Sequence, residues 1–301
     1  MRKVLWEEMF PDEFLAIRDQ CPVCYMAYGL AEPHGAYSAL GLDWLKAHAL
    51  CERAAQTHGG ILAPPLCWHV QERPMFDWPR RMGVMQSLCS SIPGDLFLHL
   101  VLHNLRVFDA RGFHVAILVT GHYGGLEQDM RLVCEYYLRR SGSPLQIYCI
   151  ADNESIHYGD YKGDHAGLCE TQQLMALRPE LVDPTRSEPS PQSGPWCGTD
   201  FQKQGLAPNR AEGEKIVSSQ IEFLGIRQRE LLAAYRPVAH WTPPDQEEVE
   251  GYWSEFDRLT RKYWVLSSTW EERINGSIMQ FPGWDALGVK GASAHNGQGK
   301  D

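Results

Sequence analysis

His114-Val115-Ala116-Ile117-Leu118-Val119-Thr120-Gly121-His122-Tyr123-Gly124-Gly125 is the stretch on which the fold reading turns. Its first seven residues are apolar on both faces and rich in β-branched side chains, the make-up of a parallel strand covered on each side. A glycine-framed turn follows, and then residues 126–140 carry helical spacing. Strand, turn and helix in that order form one half of a βαβ unit.

The same alternation extends outward in both directions. Pro11-Asp12-Glu13 starts a helix, with proline and acids in its first turn. Residues 23–28 form a short apolar run ending at Gly29, which suits a buried strand. Residues 42–56 read as a helix, with Leu42, Leu45, His48, Ala49, Cys51 and Ala54 near one face. Residues 61–63 are a second short strand, ended by Pro64-Pro65. Residues 95–108 are an amphipathic helix, 145–151 a strand, 166–177 a helix and 211–235 a long helix. Residues 67–92 and 185–202 read as loops. The predicted fold class is therefore α/β, a three-layer α/β/α arrangement with a mostly parallel central sheet.

Past residue 236 the pattern changes. Residues 1–236 read as the catalytic-type domain, and 237–301 as a C-terminal helical extension and polar tail. A Trp-rich helical segment (247–264) is expected to pack onto the core or a neighbouring subunit rather than to serve as a docking surface. Residues 291–301 are expected to be disordered.

A hydrophobic fraction of 44% supports a sizeable core, and the net charge of −10 points away from nucleic acid or anionic lipid as partner. Nine cysteines, most in apolar runs, read as buried free thiols of a reducing compartment. Cys21-Pro22-Val23-Cys24 stands alone and leads into a strand, so it reads as structural rather than zinc-binding or redox-active. Met1 to Glu8 lacks the apolar region of a signal peptide, and no apolar run is long enough to span a bilayer. The expected setting is cytoplasmic, with no membrane contact.

Three glycine-flanked stretches, each at or beyond the end of a strand, carry the chemistry. They are Gly29-Leu30-Ala31-Glu32-Pro33-His34-Gly35 with Asp43 beyond it, Gly121-His122, and Asp164-His165-Ala166-Gly167 with Glu170-Thr171. Glu32 and His34, two apart in extended chain, point the same way. Mixed carboxylate and imidazole donors suit Zn²⁺, Mn²⁺ or Fe²⁺. Two such ions sharing one carboxylate make hydroxide available at neutral pH. Ligands of doubly covered parallel sheets gather at the carboxyl ends of the strands. The remaining histidines, His48, His69, His99 and His103 among them, read as core or surface.

Taken together, Glu32-Pro33-His34-Gly35, Asp43, Gly121-His122 and His165-Ala166-Gly167 with Glu170-Thr171 resemble the creatininase (creatinine amidohydrolase) family. Ala211-Glu212-Gly213-Glu214-Lys215 looks like one of the family's helix starts. The resemblance implies a three-layer α/β fold and a two-metal site. It implies that Glu32 and His122 bind one ion, His34 and Glu170 the other, and that Asp43 bridges them. It makes His165 the catalytic histidine, moving a proton or polarising substrate. Tyr123 and Gly124, beside the metal histidine, become the candidate substrate contacts.

Departures narrow the substrate. Thr120 and Gly125 replace two family asparagines, and Gly124 stands where creatininase has a glutamate, which points away from creatinine. Tyr158 and Tyr161 lie nearby, but no tryptophans align with those that close over creatinine. The implied function is two-metal hydrolysis of a non-peptide C–N bond, a cyclic amide or formamide, in a small molecule. The alternatives are peptidase-like processing of a small modified peptide, or a non-catalytic metal-containing binding protein. The implied partners are a small-molecule substrate and further copies of the chain, in a homo-oligomer that is often hexameric.

Overall fold

The computed structural model describes residues 2–70, 88–161, 163–186, 207–267 and 276–291. Most of the two predicted loops and nearly all of the polar tail lie outside the described residues.

Four parallel strands form the sheet: β1 (Val23–Tyr28), β2 (Ile61–Leu62), β3 (Val115–Thr120) and β4 (Gln146–Ala151), in the order β2-β1-β3-β4. β1 and β3 are buried at every residue, as their unbroken apolar character requires. Alternate side chains serve opposite faces. Cys24, Met26 and Tyr28 of β1, with Ala116 and Leu118 of β3, join one apolar cluster. Val23, Tyr25 and Ala27, with Val115, Ile117 and Val119, join the other.

The helices before and between the strands are α1 (Pro11–Gln20), α2 (Leu42–His58), α3 (Gly94–Ala110) and α4 (Leu126–Ser141). Those after β4 are α5 (Leu168–Leu177), α6 (Arg210–Ala234) and α7 (Gln246–Thr260). α3, α4 and α7 cover the first cluster, and α2, α5 and α6 the second. The result is the expected three-layer α/β/α arrangement. The C-terminal segment completes the first layer: Val249, Phe256, Trp264, Leu266 and Trp284 are buried there. Asp129 of α4 accepts the N–H groups of Val265 (3.0 Å) and Leu266 (2.8 Å), which ties the segment down.

Chain direction places the site. After β1 the chain runs out to β2, then crosses back over β1 to β3. The switch point is therefore the crevice between β1 and β3. Tyr28 pairs with Thr120, and Thr120 with Ala151, so three strands end level with one another. The N-terminus of α2 enters this crevice. A Cβ on Gly29 would lie 2.6 Å from the Trp44 nitrogen, and one on Gly121 would lie 2.0 Å from the Asp43 carbonyl oxygen. Glycine at both places lets the helix start against the two strand ends.

α5 starts two residues later than its sequence pattern suggests, at Leu168. Asp164 explains the delay, because its carboxylate caps the helix from outside by accepting the N–H groups of Cys169 (2.8 Å) and Glu170 (3.1 Å). Ala166 is held left-handed, at φ 51°. Cys21 and Cys24 are free thiols, in keeping with a structural role.

Candidate metal centre

Glu32 and His34 follow β1, Asp43 opens α2, His122 follows β3, and Glu170 lies in the first turn of α5. All five are buried. Their ligating atoms fall into two groups, Glu32 with Asp43 and His122, and His34 with Asp43 and Glu170. Within each group the atoms lie inside 4.8 Å of one another. Asp43 belongs to both. Its Oδ1 is 3.0 Å from His34 Nε2 and its Oδ2 is 3.0 Å from His122 Nδ1. Glu32 Oε1 is 3.2 Å from the same His122 nitrogen, and Glu170 Oε2 is 3.7 Å from His34 Nε2.

The donor set fits divalent ions. His34 Nδ1 lies 3.0 Å from the Glu32 carbonyl oxygen, to which it can only donate. In the neutral ring Nε2 then carries a lone pair, aimed at the carboxylates of Asp43 and Glu170. That arrangement repels unless a cation or a proton intervenes. A backbone carbonyl behind the ring is the usual way to orient a metal-binding imidazole. The wider charge balance agrees. Glu32, Asp43, Asp152 and Glu170 are buried carboxylates, and one buried ammonium, Lys46, faces them.

Without ions, protons take up the imbalance. Burial pulls His34 down, but the carboxylates of Asp43, Glu170 and Glu32 outweigh it and hold its pKa up to about 9. His122 is raised well above its ordinary value against the same burial, by Glu32 and Asp43. Burial also opposes ionisation of Asp43, yet the two imidazoles hold its carboxyl well below the usual range. A metal ion must displace these protons to bind.

His165 sits at the mouth. Its side chain is 41% exposed, with Nδ1 3.9 Å from Glu32 Oε1 and its ring 4.7 Å from that of His34. The turn behind it is fastened twice. The Ala166 N–H donates to Glu170 Oε2 (2.8 Å), and the Tyr37 hydroxyl donates to the Ala166 carbonyl (2.8 Å). The Tyr123 hydroxyl donates to the Asp164 carbonyl (2.6 Å) and accepts the Asp164 N–H (3.1 Å), so this side chain holds the His165 turn in place. Gly124 and Gly125 both have positive φ, 105° and 99°. The Thr120 hydroxyl donates to the His122 carbonyl (2.6 Å), which bends the chain back after β3.

Two residues of this neighbourhood, Lys46 and Asp152, escape sequence reading. Lys46, 1% exposed, places Nζ 2.5 Å from Glu170 Oε1 and 3.4 Å from Asp152 Oδ2, and lies over the Tyr123 ring. Asp152 directly follows β4. Burial, aided by Glu170 and Asp43 and opposed by Lys46, pushes it up to about 7. Asp164 caps α5. His69 is fully buried with its ring 5.2 Å from His122, and burial followed by that neighbour keeps it neutral. Lys46 lies three residues after Asp43 and so on the same helix face, but nothing in the sequence marks it as buried.

The family model for creatininase, described as creatinine amidohydrolase, matches residues 7–218. This chain belongs to the creatininase family. Among curated relatives, a creatinine amidohydrolase of Pseudomonas putida is 24% identical over 180 residues, 54% of this chain. That match spans 66% of the relative's length. A solved creatininase described as the Mn form aligns over 78% of this chain and 100% of its own, at 20% identity and a TM-score of 0.59. A mutant creatininase of Zn-Zn type aligns over 79% and 100%, at 20% identity and 0.59. A putative creatinine amidohydrolase from Bacteroides fragilis aligns over 80% and 100%, at 18% identity and 0.54. These likenesses establish a shared creatininase fold. The family match ends inside α6, so α7 and its Trp-rich continuation lie beyond the creatininase segment. No helix among the described residues is long and apolar enough to cross a membrane.

Proposed function

We propose that this chain is a metal-dependent amidohydrolase that holds two divalent ions through a shared Asp43 and hydrolyses a non-peptide C–N bond in a small molecule. The observation that carries this reading is the pair of buried triads with Asp43 common to both. Glu32 and His122 complete one triad, His34 and Glu170 the other. Zinc, manganese or iron held there would supply ionised water near neutral pH and a Lewis acid for a carbonyl oxygen.

This chain's own residues do the rest. Asp43 presents one carboxylate oxygen to each half of the site, so one side chain sets the spacing of both. Lys46 holds Glu170 in place and offsets part of the buried negative charge. His165, half open to solvent above His34, meets an entering substrate first and hands a proton to the departing nitrogen. Its turn is fixed through Tyr37, Glu170 and Tyr123, so it does not have to be ordered during reaction. With glycine at position 124, the loop after His122 carries no carboxylate there. That favours a cyclic amide or formamide other than creatinine.

Metal content and amide turnover of the Asp43→Ala variant test the reading. Loss of ions together with activity is expected, and a folded variant that retains two ions and full turnover ends the assignment. A panel of cyclic amides, formamides and short modified peptides, scored by the nitrogen product released, separates the substrate classes. Metal-loaded protein inert toward all of them supports a binding role instead.

A further inference from the structure

We infer that His99, His103 and Glu250 form a second, separate metal site for a zinc-class divalent ion, and that this ion latches the C-terminal helix α7 onto α3. The inference does not depend on the proposed activity.

His99 and His103 are four apart on α3, so both rings rise from one face of the helix. Glu250 reaches them from α7. His99 Nε2 lies 3.1 Å from Glu250 Oε2, and His103 Nε2 lies 3.0 Å from Glu250 Oε1. The two Nε2 atoms are 3.2 Å apart. Around a zinc ion with ligands at about 2.0–2.1 Å, neighbouring tetrahedral donors stand about 3.3–3.4 Å from one another. The N–N separation and the two N–O separations, which use different oxygens of the one carboxylate, each come within a few tenths of an ångström of that edge.

Hydrogen bonding alone crowds the cluster. Each imidazole nitrogen faces its own carboxylate oxygen and must carry a proton to bond with it. Two N–H groups then point into one small space, 3.2 Å apart. A divalent ion would take the place of both N–H groups, their protons passing to Nδ1 through solvent, and make the two imidazoles and the carboxylate ligands of one centre.

The surroundings suit such a site. The Trp253 ring, also from α7, stacks on His99 with centroids 4.6 Å apart and planes 9° from parallel, which fixes the orientation of that imidazole. The side chains of His99, His103 and Glu250 are 25%, 22% and 49% exposed, so an ion can enter and a fourth position can face water. Asp95, one turn before His99, adds negative charge, although it is also paired with Arg261 at 3.4 Å. The histidines belong to the segment that matches the family, and Glu250 lies beyond it. An ion here therefore joins the two parts of the chain.

The test strips the full-length protein of metal with a chelator and titrates it with Zn²⁺ alone. Bound zinc is counted by elemental analysis, and amide hydrogen exchange is followed along α7. His103→Gln and Glu250→Gln are each expected to bind one equivalent fewer than the parent. Zinc should slow exchange in α7 of the parent and lose that effect in both variants. Asp43→Ala should keep the α7 protection, which separates this site from the buried one. Parental stoichiometry in both folded variants overturns the proposal. So does a parent whose α7 exchange is unmoved by saturating zinc, a result that stands even where a variant fails to fold.

Discussion

Lys46→Met probes the charge balance of the buried site directly. Methionine keeps most of the volume and removes the ammonium. In the parent that ammonium is 1% exposed, 2.5 Å from Glu170 and 3.4 Å from Asp152. Removing one partner of a buried ion pair costs about 3–5 kcal/mol, because the remaining charge is left without its counter-ion. At about 2 °C per kcal/mol, suited to a chain of this size, the metal-free protein loses roughly 6–10 °C in Tm. Divalent ions held by Glu170 and its neighbours put new positive charge beside the same carboxylates. The loss with saturating Mn²⁺ or Zn²⁺ is therefore smaller, and the rise in Tm on metal addition is larger in the variant than in the parent. Scanning calorimetry of both proteins, with chelator and with metal, measures the difference. An equal loss in the two states refutes the reasoning, since it would mean that Lys46 and the metals do not answer the same negative charge.

Other predictions follow from neighbouring observations. Gly121→Ala places a Cβ against the Asp43 carbonyl at a separation of 2.0 Å. It should cost about 1–3 kcal/mol of stability and lower metal content by displacing α2, as elemental analysis and denaturant titration would show; unchanged metal content refutes it. Because the carboxylates hold His34 up to about 9 in the ion-free site, metal binding at pH 7 should release protons, and affinity should rise with pH toward that value. Calorimetry in buffers of different ionisation heat measures the release, and none at pH 7 contradicts it. His48 is pushed down to about 4 from its ordinary 6.5, first by burial and then by Arg178. Its folded pKa is the lower one, so the unfolded chain binds the extra proton between about pH 4 and 6.5. Stability from this residue is full above 6.5 and is lost as pH falls through that window, by about 2 kcal/mol at most after allowing for partial exposure. His48→Gln should flatten the corresponding slope in urea melts, and an unchanged slope rules the assignment out.

What sequence can disclose here follows a physical pattern. β3 and the glycine stretches are legible because both are repeated or compositional signals. An apolar strand covered on two faces has no polar residue to confuse it, and glycine is demanded wherever α2 meets a strand end. The donors Glu32, His34, Asp43, His122 and Glu170 stand out because metal-ligating residue types are scarce in apolar surroundings. Residues that act through distance alone give no such sign. Asp152 and His69 look like ordinary loop residues, and only the level ends of β3 and β4 and the fold of the 69–70 loop bring them near. The start of α5 misleads for a related reason. Ala166 has high helix propensity, yet the demands of Asp164 and Glu170 on the turn hold it left-handed, a tertiary override of a local preference. Lys46 is the sharpest case. Flanked by Leu45 and Ala47, it resembles a solvated lysine on an amphipathic helix, and lysine is almost never fully buried unless it is paired. The pairing comes from Glu170, which is 124 residues away. A sequence can thus announce which groups would hold a cation while leaving unmarked the charge that balances them, because balance is a property of the assembled site and not of any one segment.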